Sequence, residues 1–421
     1  MNKNIKEKLW DIIEQRKDEL LNLTSELIQI PSENPNGKIK EVMDYIYNYL
    51  EHNAIDKEMV SIKEEFPNIV ASYGKGEGKT LIMNGHADVV PVGDRNKWNF
   101  DPFSGEITTT QILGRGTSDM KAGLAGILFA VKLLAQNNIE LDGNIKLHVV
   151  SDEETGGDFG TKWLLDSGYG DDASACLVAE PTSYSNCEVG QKGSLWINLK
   201  SYGKSAHGSI GQYVGENAIT KLMKVLLRIE EMSEIEGKFE EKQLGVLKDS
   251  KTIAREALKA EGVENVIDHV AVNIGTIKGG IKTNMVPDYC EAAIDIRMPI
   301  GVRAEDIKNE VKNIIDDLGL TGIEYDFNWN SDANYTDVEE DIVKSAVKNA
   351  EKIWNKEVLP AYQWASSDAR YYRYKNIPTI QYGPANTEGI HSYNENVDIE
   401  DVINATKVYI GIIVDLLKSE D

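Results

Sequence analysis

Short apolar runs that each close on an imidazole or a carboxylate constrain this chain more than any other feature. Thr80-Leu81-Ile82-Met83-Asn84-Gly85 runs into His86-Ala87-Asp88, Val149-Val150-Ser151 into Asp152-Glu153-Glu154-Thr155-Gly156, and Leu177-Val178-Ala179 into Glu180-Pro181-Thr182. Two further groups, Asp119 in Gly116-Thr117-Ser118-Asp119-Met120-Lys121 and His391 after Glu388-Gly389-Ile390, stand outside such runs. Apolar runs of this length alternating with helical periodicity argue an α/β sheet flanked by helices. In such sheets ligands gather at the carboxyl ends of strands. His86, Glu153, Glu154 and Glu180 all fall where strands should end, so they should converge.

Strands are expected at 68–73, 80–84, 145–151 and 175–179. Helices are expected at 5–29, 38–53, 120–137, 157–167 and 341–354. After about residue 190 the pattern changes. Leu195-Trp196-Ile197-Asn198-Leu199 alternates as a half-buried strand. A helix at 215–232, strands at 270–278 and 288–298, a helix at 303–317 and a strand at 322–329 complete a βαββαβ order with an antiparallel sheet. Strand and helix signals of the first kind resume after 335, at Thr379-Ile380-Gln381-Tyr382. The expected architecture is a catalytic α/β domain with a mixed, largely parallel sheet, formed by residues 1–191 and 332–421. An inserted α+β domain spans 192–331. Within it, 234–268 is a charged, partly helical excursion of no evident role.

Hydrophobic residues make up 41% of the 421, enough for a large core without staples. Cys176, Cys187 and Cys290 form no Cys-x-x-Cys pair, so reduced thiols in a cytoplasmic protein are expected. The charged start Met1-Asn2-Lys3-Asn4-Ile5-Lys6-Glu7 lacks the apolar core of a secretory signal, and no apolar stretch approaches a bilayer span. The formal net charge of −24 argues against nucleic-acid binding.

Two imidazoles and several carboxylates in such positions read as a metal centre for hydrolysis. His86 offers a ring nitrogen to a divalent ion. Asp88, two residues on along an extended segment, can accept the other ring N–H and fix the tautomer. Asp119, at a helix entry, can bridge two cations with its two oxygens. Glu153 and Glu154 are adjacent and point apart, so one can ligate while the other stays free as a general base. Each signal alone is ordinary: a His-x-Asp is commonly a polar pair, an Asp-Glu-Glu run a solvated turn, and a Glu before Pro-Thr a loop residue. Of the remaining histidines, His52 and His269 read as surface, His148 as structural, and His207 lies in a glycine-rich loop of the inserted domain.

Taken together, the strings resemble the dinuclear zinc deacylase family of acetylornithine deacetylase, succinyl-diaminopimelate desuccinylase, aminoacylase and glutamate carboxypeptidase. The resemblance rests on His86-Ala87-Asp88-Val89-Val90-Pro91 with Trp98 and Asp101-Pro102-Phe103, Gly114-Arg115-Gly116-Thr117-Ser118-Asp119-Met120-Lys121, Asp152-Glu153-Glu154-Thr155-Gly156 and Glu180-Pro181-Thr182. Gly203-Lys204-Ser205-Ala206-His207, Gly279-Gly280 with Asn284 and Val286-Pro287, Asp295-Ile296-Arg297 and His391 match downstream, in order over nearly the whole chain. Many relatives carry a glycine where this chain has Ala122, which a helix start tolerates.

The resemblance implies two zinc ions, with cobalt or manganese as substitutes. His86 and Glu180 would hold one and Glu154 and His391 the other, Asp119 would bridge them, and a water or hydroxide would lie between. Glu153 would be the general base and Asp88 would orient His86. The inserted domain would serve as lid and homodimerisation domain, His207 would stabilise the oxyanion in the partner's site, and Asn284 and Arg297 would bind substrate. Ser366-Ser367-Asp368-Ala369-Arg370 matches a site-lining loop, which makes Arg370 a second carboxylate binder; the plain alternative for either arginine is an internal salt bridge. The expected substrate is an N-acyl amino acid or short peptide. The rivals are a dipeptidase or carboxypeptidase on the same scaffold and a catalytically silent binding protein. The length of the 234–268 excursion departs from the compact lid of the desuccinylases.

Overall fold

The strand Thr80–His86 is buried along its whole length, so its register fixes much of what surrounds it. In the computed structural model, which describes residues 2–418 apart from Asn36 and Ala54, it pairs in parallel with Asn144–Val150 on one side and Ala173–Val178 on the other. Strands buried on both faces read as continuous apolar runs, as Leu81–Met83 and Ala175–Val178 do, whereas Asn144–Val150 interleaves Lys146 and His148 with its apolar residues. The sheet runs in the order 56–60, 68–73, 144–150, 80–86, 173–178, 379–381, 186–191. Its first pairs are antiparallel, as is the pairing of Gln381 with Glu188, and the centre is parallel. It is the expected mixed sheet, parallel at its centre and antiparallel toward its edges.

The helix Ala122–Gln136 is apolar nearly all round, and its residues up to Val131 are fully enclosed. An all-round apolar helix belongs inside a core. It packs on the sheet and on the helices Lys17–Ile28 and Ile399–Leu417. Gly123 permits the close approach, since a Cβ there would lie 2.1 Å from the carbonyl oxygen of Ala179. The single helix expected over 5–29 is two, Asn2–Gln15 and Lys17–Ile28, broken at Arg16. Arg16 leaves helical geometry at φ −114°, ψ 19°, and its guanidinium grips Glu19 with two hydrogen bonds. With neither glycine nor proline at the break, the sequence carries no mark of it. The helix expected at 157–167 is shorter, Thr161–Asp166, because Gly156 and Gly157 take positive φ and end the preceding turn first.

The chain divides into two compact units. One holds the residues up to Val189, Thr336–Ala361 and those from Ser367 on; the other holds Gly190–Tyr335 and Tyr362–Ser366. The second unit has a four-stranded antiparallel sheet in the order 271–279, 289–298, 193–202, 323–331. Alternation along Gly193–Tyr202 turns Leu195, Ile197 and Leu199 into its core, against Leu222, Val225 and Ile229 of the helix Ala218–Glu230 and Ile307, Val311 and Ile314 of the helix Ala304–Asp317. The 234–268 excursion carries the helix Leu244–Leu258, and Ser250 Oγ on its buried side accepts the backbone N–H of Tyr362 at 2.7 Å. Lys192, also buried, donates to the carbonyls of Val266 (2.9 Å) and His269 (2.6 Å), tying down the end of the excursion. No helix among the described residues is long and apolar enough to cross a membrane.

Candidate metal centre

Parallel register brings three strand ends level. His86 pairs with Val150, and Asn84 with Val178, so Asp152–Glu154 and Glu180 emerge beside His86. His86 Nε2 lies 3.1 Å from Asp119 Oδ1 and 3.9 Å from Glu180 Oε1. His391 Nε2 lies 3.2 Å from Asp119 Oδ2 and 3.3 Å from Glu154 Oε2. Two ligand sets result, His86–Asp119–Glu180 and Asp119–Glu154–His391, each with its donor atoms within 4.8 Å of one another. Asp119 gives one oxygen to each imidazole and is common to both. Side chains from distant stretches of the chain thus lie together in the first unit.

The groups around the ligands set their orientation. His86 Nδ1 faces the main-chain carbonyl of Asp88 at 2.9 Å, closer than the Asp88 carboxylate at 3.5 Å. The tautomer is therefore fixed by Asp88 through its backbone, a difference from the expected carboxylate contact. The carboxylate steadies the neighbouring loops instead, since Oδ2 accepts the Asn34 amide (3.0 Å) and the backbone N–H of Glu154 (3.2 Å). Glu154 Oε1 in turn accepts the backbone N–H of Val90 at 3.2 Å, leaving Oε2 toward His391.

Glu395, four residues past His391, gives no sign of its role in the sequence. It is fully buried, and Oε1 accepts the backbone N–H groups of Gly116 (3.1 Å), Ser118 (2.9 Å) and Asp119 (3.1 Å), while Oε2 takes Arg115 Nη1 at 2.5 Å. One carboxylate thereby ties the Asp119 loop to the His391 loop. Lys121, also buried, donates to the carbonyls of Leu27 (2.9 Å) and Ile30 (2.8 Å), and burial lowers its pKa to about 7. A lone glutamate in a polar stretch and a lysine at a helix start carry no sequence signal of such burial.

The electrostatics ask for added positive charge. Burial, with the charge of Asp119, raises Glu180 well above the usual carboxylate range and Glu154 to about 7. Burial and the neighbouring Glu180 and Asp368 raise Glu153 as well. His391 is raised to about 11 by its hydrogen bonds to Asp119 and Glu154. Burial alone would lower His86, but Asp119, Asp88 and Glu180 outweigh it and raise it. Asp119 stays below its usual range because the two imidazoles overcome its burial. Acids this crowded hold protons unless a cation replaces them. Imidazole nitrogen and carboxylate oxygen are the donors zinc takes, and two sets sharing one carboxylate fit two divalent ions.

The remaining expected site residues fall in both units. In the second unit His207 is exposed, with Nδ1 2.8 Å from Ser209 Oγ. Asn284 is exposed nearby, its carbonyl accepting the N–H of Gly208 at 2.9 Å, so these two loops are joined. Arg297 is half-buried and donates from Nε to Asp295 at 3.0 Å. Arg370 belongs to the first unit with the ligands, Asp88 and Glu153. It is 2% exposed and donates to the carbonyls of Ser367 (2.6 Å) and Gly156 (2.7 Å). His148 is buried with Nδ1 2.9 Å from the Tyr372 hydroxyl, the structural role expected of it.

The sequence matches peptidase family M20/M25/M40 over residues 82–415, which takes in all five candidate ligands. The chain belongs to this family. Membership makes it a metal-dependent hydrolase of amide bonds. It is similar to an uncharacterized metallohydrolase of Methanocaldococcus jannaschii, 30% identical over 94% of this chain and 99% of that protein. A probable succinyl-diaminopimelate desuccinylase of Staphylococcus aureus is 27% identical over 90% of this chain and 93% of its own length. Among solved structures, an M20 family metallo-carboxypeptidase from Sulfolobus solfataricus superposes with a TM-score of 0.79 at 23% identity, covering 94% of this chain and 99% of that one, which establishes the M20 fold.

Proposed function

We propose that this M20 hydrolase is a dinuclear zinc deacylase that cleaves the amide of N-acyl amino acids, with Glu153 as general base. The observation that carries the reading is the pair of ligand sets joined at Asp119, with Glu153 adjacent to ligand Glu154 yet in neither set. When bound, two divalent ions polarise the amide carbonyl and lower the pKa of water from ~15.7 to about 7. Glu153 takes the proton of the attacking water on its carboxylate and delivers it to the leaving nitrogen. Its burial and acidic neighbours suit it to both steps, because they raise it above the usual carboxylate range and so let the proton it takes stay bound until it is delivered. Asp88 holds His86 in one tautomer throughout.

In the same reading the second unit is lid and dimerisation domain. Its exposed apolar side chains Ile210, Tyr213, Val214, Ile277, Ile281 and Met285 cluster in sequence around the His207 and Asn284 loops, which supports a homodimer that brings His207 to the partner's oxyanion. Asn284 and Arg297 take the substrate's carbonyl and carboxylate oxygens, a guanidinium being suited to bidentate contact. The free, buried thiols of Cys176, Cys187 and Cys290 support a cytoplasmic setting.

Similarity to a metallo-carboxypeptidase fold favours one second reading, cleavage of peptides with a free C-terminus by the same centre. A panel of acetyl-, succinyl- and formyl-amino acids beside dipeptides, assayed with zinc, cobalt and manganese, separates the two. Turnover of acylated amino acids above dipeptides is expected. Turnover of dipeptides alone would replace the deacylase reading, and no turnover by metal-replete protein would remove both.

A further inference from the structure

The turn that carries Glu153 and Glu154 is held from outside on two sides: Asp88 and Asn34 bond its Glu154 N–H and Thr155 hydroxyl, and one short segment bonds its Gly156 end. Within the turn, the carbonyl of Asp152 accepts the N–H groups of Thr155 (3.1 Å) and Gly157 (2.9 Å), and the carbonyl of Glu153 accepts that of Gly156 (2.8 Å). Gly156 sits at φ +112° and Gly157 at φ +71°, in the left-handed region that favours glycine. Gly157 also has no room for a side chain, since a Cβ would lie 2.2 Å from Asp368 Oδ1. The carbonyl of Gly156 points away from these internal bonds and receives two donors, Arg370 Nη2 at 2.7 Å and the Tyr371 hydroxyl at 2.6 Å.

Those donors are themselves fixed. Arg370 Nη1 donates to the carbonyl of Ser367 at 2.6 Å, Nη2 also reaches the Tyr371 hydroxyl at 3.2 Å, and the guanidinium lies 4.3 Å from the centre of the Tyr371 ring. The buried Asp368 carboxylate stands 3.8 Å from Nη2 and supplies the countercharge. A rigid fork bonded to two main-chain carbonyls and buried against an aromatic ring is built to hold backbone in place. A substrate carboxylate would have to displace those bonds.

We infer that Arg370 and Tyr371 are positioning residues: they clamp the Gly156 carbonyl and thereby set where the Glu153 base and the Glu154 ligand stand. The inference rests on the reading of Glu153 and Glu154 as base and ligand, and it withdraws Arg370 from the substrate-binding set. In this role the clamp acts on substrate and ion only through the turn it holds. Its loss lets the turn drift, which loosens the ion shared with His391 and misplaces the base.

The test uses full-length Arg370→Met and Tyr371→Phe, the latter deleting one hydroxyl and little volume. Cobalt(II) titration followed by visible absorption reads ion binding independently of turnover. Tighter binding of the first cobalt ion should be unchanged, while the second weakens roughly 10–100-fold, the usual loss when a partner outside the ligands is removed. With the best N-acyl amino acid of the panel, kcat should fall with KM nearly constant, and the same drop should appear on its C-terminal amide if that amide is turned over. Arg370→Lys should restore part of the second-ion affinity. If Arg370→Met instead raises KM only for substrates with a free carboxylate, the arginine binds substrate and the inference falls. If both variants lose thermal stability but keep native cobalt affinities and kcat, the clamp merely supports the fold and the inference falls too. Should the native protein bind no cobalt at all, the underlying metallohydrolase site is at fault, an outcome distinct from either.

Discussion

The two halves of the metal centre are built differently. His86 ends a buried central strand, is 1% exposed, and has Glu180 (5%) beside it at the end of the parallel neighbour. His391 is about half exposed, lies in a loop at φ +56°, and meets Glu154 in a turn held by Arg370 and Tyr371. The first half inherits its geometry from the sheet, and the second depends on hydrogen bonds between loops. Sites placed by regular elements are held more tightly than sites on loops. The ion at His86–Glu180 should therefore bind more tightly and exchange more slowly than the ion at His391–Glu154.

Removing the shared ligand erases the contrast and should have the largest effect. Asp119→Ala is expected to abolish turnover and to lose both ions in a cobalt titration; a variant that keeps either ion at native affinity would show that the halves are independent. Glu153→Gln comes next. It should cut kcat by roughly 10²–10⁴-fold, the range of general acid–base catalysis, while both ions remain; full activity would remove Glu153 from the mechanism. His391→Ala should then keep the tight ion and lose the loose one, whereas His86→Ala should lose the tight one and also lower Tm, because it empties a packed, hydrogen-bonded site. Equal ion loss in both variants would break the comparison.

Glu395→Gln should act more gently. Its Oε1 contacts can persist, but the charge facing Arg115 is gone, so the Asp119 and His391 loops are joined less firmly. A loss of second-ion affinity of roughly 10-fold is expected from a partner outside the ligands, and an unchanged titration curve would show that the loops do not need the tie. The smallest predicted effect is on pH dependence. In ion-free protein Glu154 is raised from 4.5 to about 7 and His391 from 6.5 to about 11, so the folded state holds extra protons. The stability these groups contribute is full below their ordinary values and declines as pH rises through the raised ones. Asp119 has the opposite sign, but its loss of stability is confined below 3.8. Added zinc replaces those protons, so the Tm gain on zinc addition should grow between pH ~5 and ~8. A gain that is flat or shrinks over that range would contradict the assignment of these groups to the centre.

The same contrast explains what is legible in the sequence. His86, Glu153, Glu154 and Glu180 follow apolar runs whose length and composition mark buried strands, and the parallel register does the rest. Leu195, Ile197 and Leu199 announce the second unit's sheet by alternation. Asp119 stands at a helix entry, where a carboxylate can bridge two cations, but only the resemblance assigns it and the loop residue His391 to particular ligand sets, since such irregular backbone has no periodic signature. The surroundings of Arg370 are hidden for a related reason. An arginine next to a site is chemically equal to a substrate clamp until its partners are seen, and its partners are main-chain carbonyls that no sequence displays. Glu395 stays hidden because three of its four partners are backbone N–H groups. The break at Arg16 and the strand Asp56–Val60 likewise lack a turn residue or an apolar run to mark them.

Metal content bears on all of this most directly. Protein equilibrated with excess zinc, desalted and measured by elemental analysis is predicted to carry two ions per chain, with one released first to a mild chelator. Protein that retains no zinc, in a preparation whose fold is intact, would contradict the account at its centre.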